Sequence, residues 1–503
     1  MSVIGVDIGT SSTKGVLAGG DGRILASATV PNRTSRPVPG WVEHDAEAVW
    51  WRGFLAVVQQ LQAAAGSERE EVQAICVSGI GPCLLAADAQ GAPLRNAILY
   101  GVDTRAGAEI EELNRELGAD RILERCGSPL TSQAVGPKLL WLRRHEPEVW
   151  ARTRTLLMAS SFVVYRLTGE YTLDHHSASQ CTPMYDLAAQ AWITDWSESI
   201  APGLSLPRLA WPGEVVGRVG ADGAAQSGLP RGIPVLAGTI DAWAEALSVG
   251  VTAPGDCMVM YGTSMFMINM ALAARPHPKL WLTNGIVPGE LTLAAGMVTF
   301  GAITEWFSEL VGVPLDILSR EAAEIPAGAA GLVALPYFAG ERTPIFDADA
   351  RGVLCGLTLG HGRAHLFRAL LEAGAYGVRH NLEAMQAAGA DPARLVAVGG
   401  AAQGPLWRQV VSDVTGRRQE IPEVLIGAAY GDALLAARAA GAADPGALWS
   451  RIEGAVIPSP DQRIHATYDD LYQLYRDLYP ATSGPVHHLA ALGGRVAEPG
   501  AGG

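Results

Sequence analysis

Residues 5–17 read GVDIGTSSTKGVL. A run of strand-forming residues meets a turn of glycine and hydroxyl residues, and a second such run leaves it after Lys14. That pattern signals a hairpin. Asp7 is the anomaly. A carboxylate at the end of a buried strand loses its hydration and must find hydrogen bonds or a cation. Two readings stand open on this segment alone. In one, local N–H and hydroxyl groups satisfy Asp7 in an Asx-type turn. In the other, Thr10, Ser11, Thr13 and Lys14 receive phosphate oxygens, and Asp7 holds Mg²⁺ through water. The loop is not a G-x-x-x-x-G-K-[ST] phosphate loop, a pattern absent from the chain.

Working outward, residues 2–30 read as a three-stranded meander with a second turn at Asp21-Gly22. Residues 45–65 carry a helical pattern with Asp45 as its N-cap, and residues 72–80 a buried strand. The opening then returns. Residues 256–272, DCMVMYGTSMFMINMAL, again place Gly-Thr-Ser between two apolar runs, about 250 residues later, the scale of one domain. Such turns are common enough to coincide by chance. The alternative is a duplicated domain in which each copy offers one glycine-and-hydroxyl turn to a polyphosphate. Helical patterns follow at 300–324 and 361–389, a strand at 394–400, and a small-residue helix at 427–441.

Composition limits the function classes. The 503 residues are enough for two to four domains, and 49% hydrophobic with 17% charged residues suits a large packed core. A net charge of −14 argues against nucleic acid or an anionic membrane as the partner. It leaves phosphate ligands open, because backbone N–H groups bind them without net charge. The six cysteines are scattered with no C-x-x-C pair, which points to a reduced, cytoplasmic chain without disulfides or zinc. His175-His176 has no partner at metal-ligand spacing. Neither G-x-S-x-G nor H-E-x-x-H occurs. The Gly/Pro-rich residues 482–503 read as a flexible tail.

Two more segments carry chemistry. Asp241, in GTIDAWAEALSVG, follows a strand end and opens a helix. It is either the helix N-cap or a general base whose pKa burial lifts, and the two are compatible. Residues 399–404, GGAAQG, form a glycine-rich strand-to-helix turn that either admits a ligand to the backbone or is simply a tight connection.

Together these pieces resemble the FGGY carbohydrate kinases. The resemblance covers about residues 2–480 and holds in family order. GVDIGTSSTKGVL looks like the first phosphate loop and GWVEHDAEAVWW like the G-W-x-E-x-D segment. The strand ending in Asp103-Thr104-Arg105, the YRLTGEYTLDHHSAS stretch and GTIDAWAEALSVG follow, then YGTSMF as a second phosphate loop. GERTPIFDADARGVLCGLTLGHGRAHLFRALLE is close to the C-terminal signature, and GGAAQGPLWRQVVSDVTG resembles the adenosine loop. The xylulokinase branch is the nearest in pattern.

That resemblance implies an α/β protein of two actin-like, ribonuclease-H-like domains with a deep interdomain cleft. It assigns residues 1–245 to an N-terminal domain and 246–481 to a C-terminal, nucleotide-binding one. It implies ATP and Mg²⁺ as cofactors and a small sugar as substrate; a homodimer is expected, and composition adds a cytoplasmic protein with no nucleic-acid or membrane partner. D-xylulose, taken to xylulose 5-phosphate, is the expected acceptor. Ribulose, glycerol or erythritol are the alternatives among kinases, and a non-kinase ATPase of the same fold stands beyond them. By the same resemblance Asp241 is the catalytic base and Asp7 orients the metal. Nucleotide contacts fall to Thr10, Ser11, Thr13, Lys14, Gly262, Thr263, Ser264, Gly301, Glu305, Gly399, Gly400, Gln403 and Gly404. Substrate contacts fall to Gly81, Pro82, Asp103, Asp241 and Ala242. One departure bears on the acceptor. The branch commonly has S-G-Q-M-H-G where this chain has Ser78 to Cys83 as SGIGPC, so Gly81 and Pro82 replace the Met and His that line the sugar. Ala401 likewise replaces a common third glycine in the adenosine loop.

Overall fold

The computed structural model describes residues 1–64, 71–400, 404–442 and 451–497, with side chains to residue 492. Chain contacts divide it into two units. The first comprises Met1–Thr252, Arg275–Thr292 and Ile426–Arg451; the second comprises Ala253–Ala274, Leu293–Leu425 and the chain from Ile452 onward.

In the first unit the meander is Ser2–Ile8, Ser12–Gly19 and Ile24–Pro31, with Asp7 opposite Lys14 and Ile8 opposite Thr13. Val72–Gly79 pairs with Ser2–Ile8 in parallel, Pro234–Leu236 adds in parallel, and Val215–Arg218 closes the sheet antiparallel. Parallel neighbours require crossover connections, which supply covering helices. One is Arg52–Ala64, which follows a wider helical turn capped by Asp45, whose Oδ1 accepts from Ala48 N at 2.9 Å. Phe54, Val57, Val58 and Leu61 repeat at i, i+3, i+4 and i+7 and bury one face of that helix in the core.

The other covering element is Ala428–Ala439, a helix from the far end of the chain. It lies so close to the first strand that a Cβ on Gly5 would stand 2.0 Å from the Ala429 carbonyl oxygen. It crosses the Asp241–Ser248 helix as closely, with a Cβ on Gly431 falling 1.9 Å from the Ala244 oxygen. Only glycine permits such backbone contact. By this packing residues 275–292 and 426–451 group with the first unit, so the units are not contiguous along the chain.

The second unit repeats the plan. Asp256–Tyr261 and Met265–Ala271 form a hairpin with Tyr261 opposite Met265, and Leu291–Met297 lies beyond Met265–Ala271. Arg394–Val398 and Gln419–Pro422 add in parallel, and Ile452–Val456 closes antiparallel. Both sheets therefore run meander, two parallel strands, antiparallel edge. The echoed Gly-Thr-Ser turns sit at the same place in each, which makes them a duplication rather than a coincidence. Helices Gly301–Val311, Leu315–Ala323, Arg363–Ala387 and Pro405–Thr415 accompany this sheet.

The tail departs from its expectation as far as residue 497, and residues 498–503 lie outside the described residues. Residues 482–497 continue the helix Gln462–Ala497, through Pro480 and Pro485. Tyrosines at helical spacing anchor it. Tyr468 bonds Arg368 and Glu372, Tyr475 pairs its hydroxyl with that of Tyr337 at 2.8 Å, and Tyr479 donates to Asp347 at 2.8 Å.

Candidate active site

The hairpin of the opening segment holds its loop by design. Gly9 N donates to Ser12 O at 2.9 Å, closing the turn. Asn32, just past the third strand, clamps it: its N donates to Ser11 O at 2.8 Å, its side-chain amide to Gly9 O at 2.7 Å, and Thr13 Oγ1 donates to Asn32 Oδ1 at 3.1 Å. Thr13 is thus fully buried with its hydroxyl committed to Asn32, so it shapes the loop instead of facing a phosphate. Thr10 is partly exposed with its hydroxyl 3.1 Å from that of Tyr100, while Ser11 and Lys14 are exposed.

Asp7 does not cap its own turn. It lies among three carboxylates from two other helices, Asp241–Ser248 and Ala428–Ala439. Burial first, then the charges of Asp241, Asp432 and Glu245, hold its pKa well above the usual carboxylate range, with Lys14 opposing. Asp241 is the first residue of its helix rather than the N-cap, which is Ile240, and its Oδ1 accepts from Ala242 N at 2.8 Å. The residue keeps part of its surface accessible, yet the atoms packed around its carboxyl push it up to about 6. Glu245, one turn further along, is raised to about 7 by burial and by Asp241. Asp432 is raised to about 7 by burial, its hydrogen bonds to Ser78 and Cys76 opposing. Glu245 and Asp432 were not singled out in the sequence. The four-residue spacing of Asp241 and Glu245 on one helix face is the signal for Glu245; nothing local marks Asp432.

Gly81 is brought to this place. Gly79 bridges to Ile240, and a Cβ on Gly81 would stand 2.6 Å from Ile240 Cγ1. Pro82 is buried beside it, and Ala242 follows Asp241. Asp103 is not available to a substrate. It is 1% exposed, Oδ2 accepts from Val42 N and Arg105, and Oδ1 accepts from Arg105 N and Nε. With Glu43 and Arg95 it forms a buried ion network, Arg105 lying 4.1 Å from the centre of the Trp41 ring. Asp103 is a structural residue here.

The second unit holds a cavity of about 900 Å³. Gly262, Thr263, Gly301, Glu305, Gly400 and Gly404, all expected at a nucleotide, line it. Gly301 N donates to Gly262 O at 2.9 Å, and Ala302 N to Thr263 O at 3.1 Å, which ties the second Gly-Thr-Ser turn to a helix start. Ser264 and Gly399 support the wall without lining it: Gly262 N donates to Ser264 O, and Gly399, at φ 92°, presses against Tyr261. Gln403 and Ala401 lie outside the described residues. The sequence reading missed the apolar floor of Leu315, Phe367, Leu371 and Trp407, where Trp407 stacks on Phe300 at 4.0 Å and donates to Leu371 O. An apolar cavity with a rim of glycine backbone suits a flat base carrying phosphates.

Among the described residues no three His, Cys, Asp or Glu side chains group as direct metal ligands, and no helix is long and apolar enough to cross a membrane.

Two copies of an actin-like, ribonuclease-H-like sheet, one bearing buried carboxylates and the other a nucleotide-sized cavity, define a phosphotransferase of that fold. The comparisons narrow it. The FGGY carbohydrate kinase N-terminal domain matches residues 2–248 and the C-terminal domain residues 257–440. The chain is similar to the xylulose kinase of Escherichia coli K12, 30% identical over 95% of this chain and 98% of that protein. It is also similar to the xylulose kinase of Lactococcus lactis, 28% identical over 97% and 98%. The crystal structure of xylulose kinase from Rhodospirillum rubrum superposes with a TM-score of 0.90 at 34% identity, covering 97% of this chain and 100% of that one. The chain belongs to the FGGY family of carbohydrate kinases and is an ATP-dependent sugar kinase.

Proposed function

We propose that the acceptor is D-xylulose, phosphorylated on its terminal hydroxyl to xylulose 5-phosphate. The observation that carries the chemistry is Asp241, a raised carboxylate at a helix start beside Gly81. The named activities of its relatives point to the ketose. At neutral pH a carboxyl of pKa about 6 is mostly ionised yet basic enough to take the proton of an attacking hydroxyl. In the first unit Thr10, Ser11 and Lys14 are donors suited to phosphate oxygens; in the second, Thr263 is a donor at the rim of the cavity. The apolar floor at Phe367 and Trp407 takes the base. Phosphoryl transfer depends on such positioning and charge neutralisation more than on covalent chemistry.

Mg²⁺ fits this donor set. Burial and the charge of Asp241 raise both Asp7 and Glu245, and a divalent cation relieves that repulsion with the hard oxygen donors it prefers. Asp7 would hold it through water. When bound, the ion neutralises phosphate charge.

Gly81 and Pro82 in place of polar sugar contacts make the acceptor the point to test. ADP release is measured with D-xylulose, D-ribulose, glycerol and erythritol, and the product is identified by ³¹P NMR. D-xylulose is expected to give the highest kcat/KM. Any of the other three acceptors outperforming it overturns the acceptor assignment.

A further inference from the structure

Asp432 belongs to none of the segments that carry the family resemblance to the catalytic loops, yet it is fully buried against them. Its Oδ2 accepts both donors of Ser78, the backbone N–H at 3.0 Å and the hydroxyl at 2.6 Å. Its Oδ1 faces the Cys76 thiol, with sulfur 3.5 Å away. Ser78 Oγ also lies 3.4 Å from Asp7 Oδ1. A serine hydroxyl has one proton to give. A 2.6 Å contact to a carboxylate is a strong bond, and 3.4 Å is a marginal one, so the proton goes to Asp432. Ser78 then shows Asp7 a lone pair. Two acceptor oxygens face each other, an arrangement that suits a donor or a cation's hydration shell lying against both.

We propose that Asp432 is a positioning residue for the metal–phosphate site: by holding the Ser78 proton, it leaves Ser78 Oγ and Asp7 Oδ1 as paired acceptors for a water of the hydrated divalent cation. This rests on the phosphotransfer reading and adds a residue to it. The role is geometric, and the chemistry of the variants separates geometry from charge. Asp432→Asn, with its amide oxygen in the place of Oδ2, keeps both Ser78 bonds and turns its NH₂ toward the Cys76 sulfur. Asp432→Ala loses them and frees the hydroxyl to swing its proton onto Asp7. Ser78→Ala removes the acceptor itself.

The test is Mn²⁺ binding to the enzyme·ADP complex, read by electron paramagnetic resonance, alongside sugar phosphorylation by the wild type. Asp432→Ala and Ser78→Ala are expected to weaken Mn²⁺ binding at least about tenfold, with the double variant no weaker than either, because both act through one hydroxyl. Asp432→Asn is expected to stay within about threefold of wild type. The KM for sugar stays unchanged in all of them. Wild-type Mn²⁺ affinity in Ser78→Ala or Asp432→Ala overturns the proposal, as does an Asp432→Asn variant as weak as Asp432→Ala. If Asp432→Ala does not fold, Ser78→Ala and Asp432→Asn decide. A wild type that binds Mn²⁺·ADP but phosphorylates no sugar refutes the kinase reading instead.

Discussion

Replacing Asp241 by Asn separates the proton-accepting role from everything else this residue does. The asparagine oxygen still accepts from Ala242 N, the one hydrogen bond Asp241 makes within its helix, so the helix start is kept. What is lost is basicity, and removing a positioned general base lowers turnover by about 10²–10⁴-fold. The pH profile gives the second magnitude. Burial raises Asp241 to about 6, and only the ionised form accepts the proton, so activity is present above that pH and lost as pH falls through it. At pH 5 roughly a tenth of the enzyme carries the carboxylate, so kcat/KM falls about tenfold between pH 7 and pH 5. The assay is coupled ADP release at saturating ATP, with nucleotide affinity followed by displacement of a fluorescent ADP analogue. Nucleotide affinity in Asp241→Asn stays within about twofold, since the cavity belongs to other residues. A variant within tenfold of wild-type turnover, or a wild-type profile flat down to pH 5, refutes Asp241 as the base.

Gly301→Ala tests the nucleotide loop. Its Cβ would stand 2.6 Å from the Gly262 oxygen, so the turn at Thr263 must move; the KM for ATP is expected to rise by about tenfold or more with the KM for sugar unchanged, measured by steady-state kinetics. Lys138→Met tests a buried cation that donates to Leu99 O at 2.7 Å. Desolvation lowers Lys138 from the usual 10.5 to about 8, so between those values the unfolded chain binds more protons and stability rises with pH. The full shift corresponds to at most about 3.5 kcal/mol, and urea titrations at pH 8 and 10 are expected to show a smaller rise in Lys138→Met than in wild type.

What was legible in the sequence was what recurs within short segments. The meander, the glycine turns and the 52–64 helix each carry their pattern in a dozen residues, and the second Gly-Thr-Ser copy made the first one specific. Asp241 was legible for the same reason, since a strand end, an acidic residue and a small-residue helix are adjacent in the chain. Single side chains on those segments were harder to assign. Thr13 and Asp103 have the right chemistry for ligands, but alternation along the strand points Thr13 at Asn32, and Arg105 two residues on consumes Asp103. Neither outcome is written in residue type.

Asp432 marks the limit of that local reading and explains it. Its meaning comes from Ser78 and Asp7, respectively 354 and 425 positions earlier, and it reaches them only because Gly5 and Gly431 let a late helix lie directly on the first strand and on the Asp241 helix. The small-residue pattern at 427–441 was visible as a helix, but a helix rich in Gly and Ala says only that something comes close, not what. Here the neighbours that come close are the strand that ends on Asp7 and the helix that begins on Asp241. The same close packing that groups residues 426–451 with the first unit therefore brings a further carboxylate to Asp7 and Asp241. The strand ending on Asp7 is therefore met by a carboxylate that no reading of its own turn could supply.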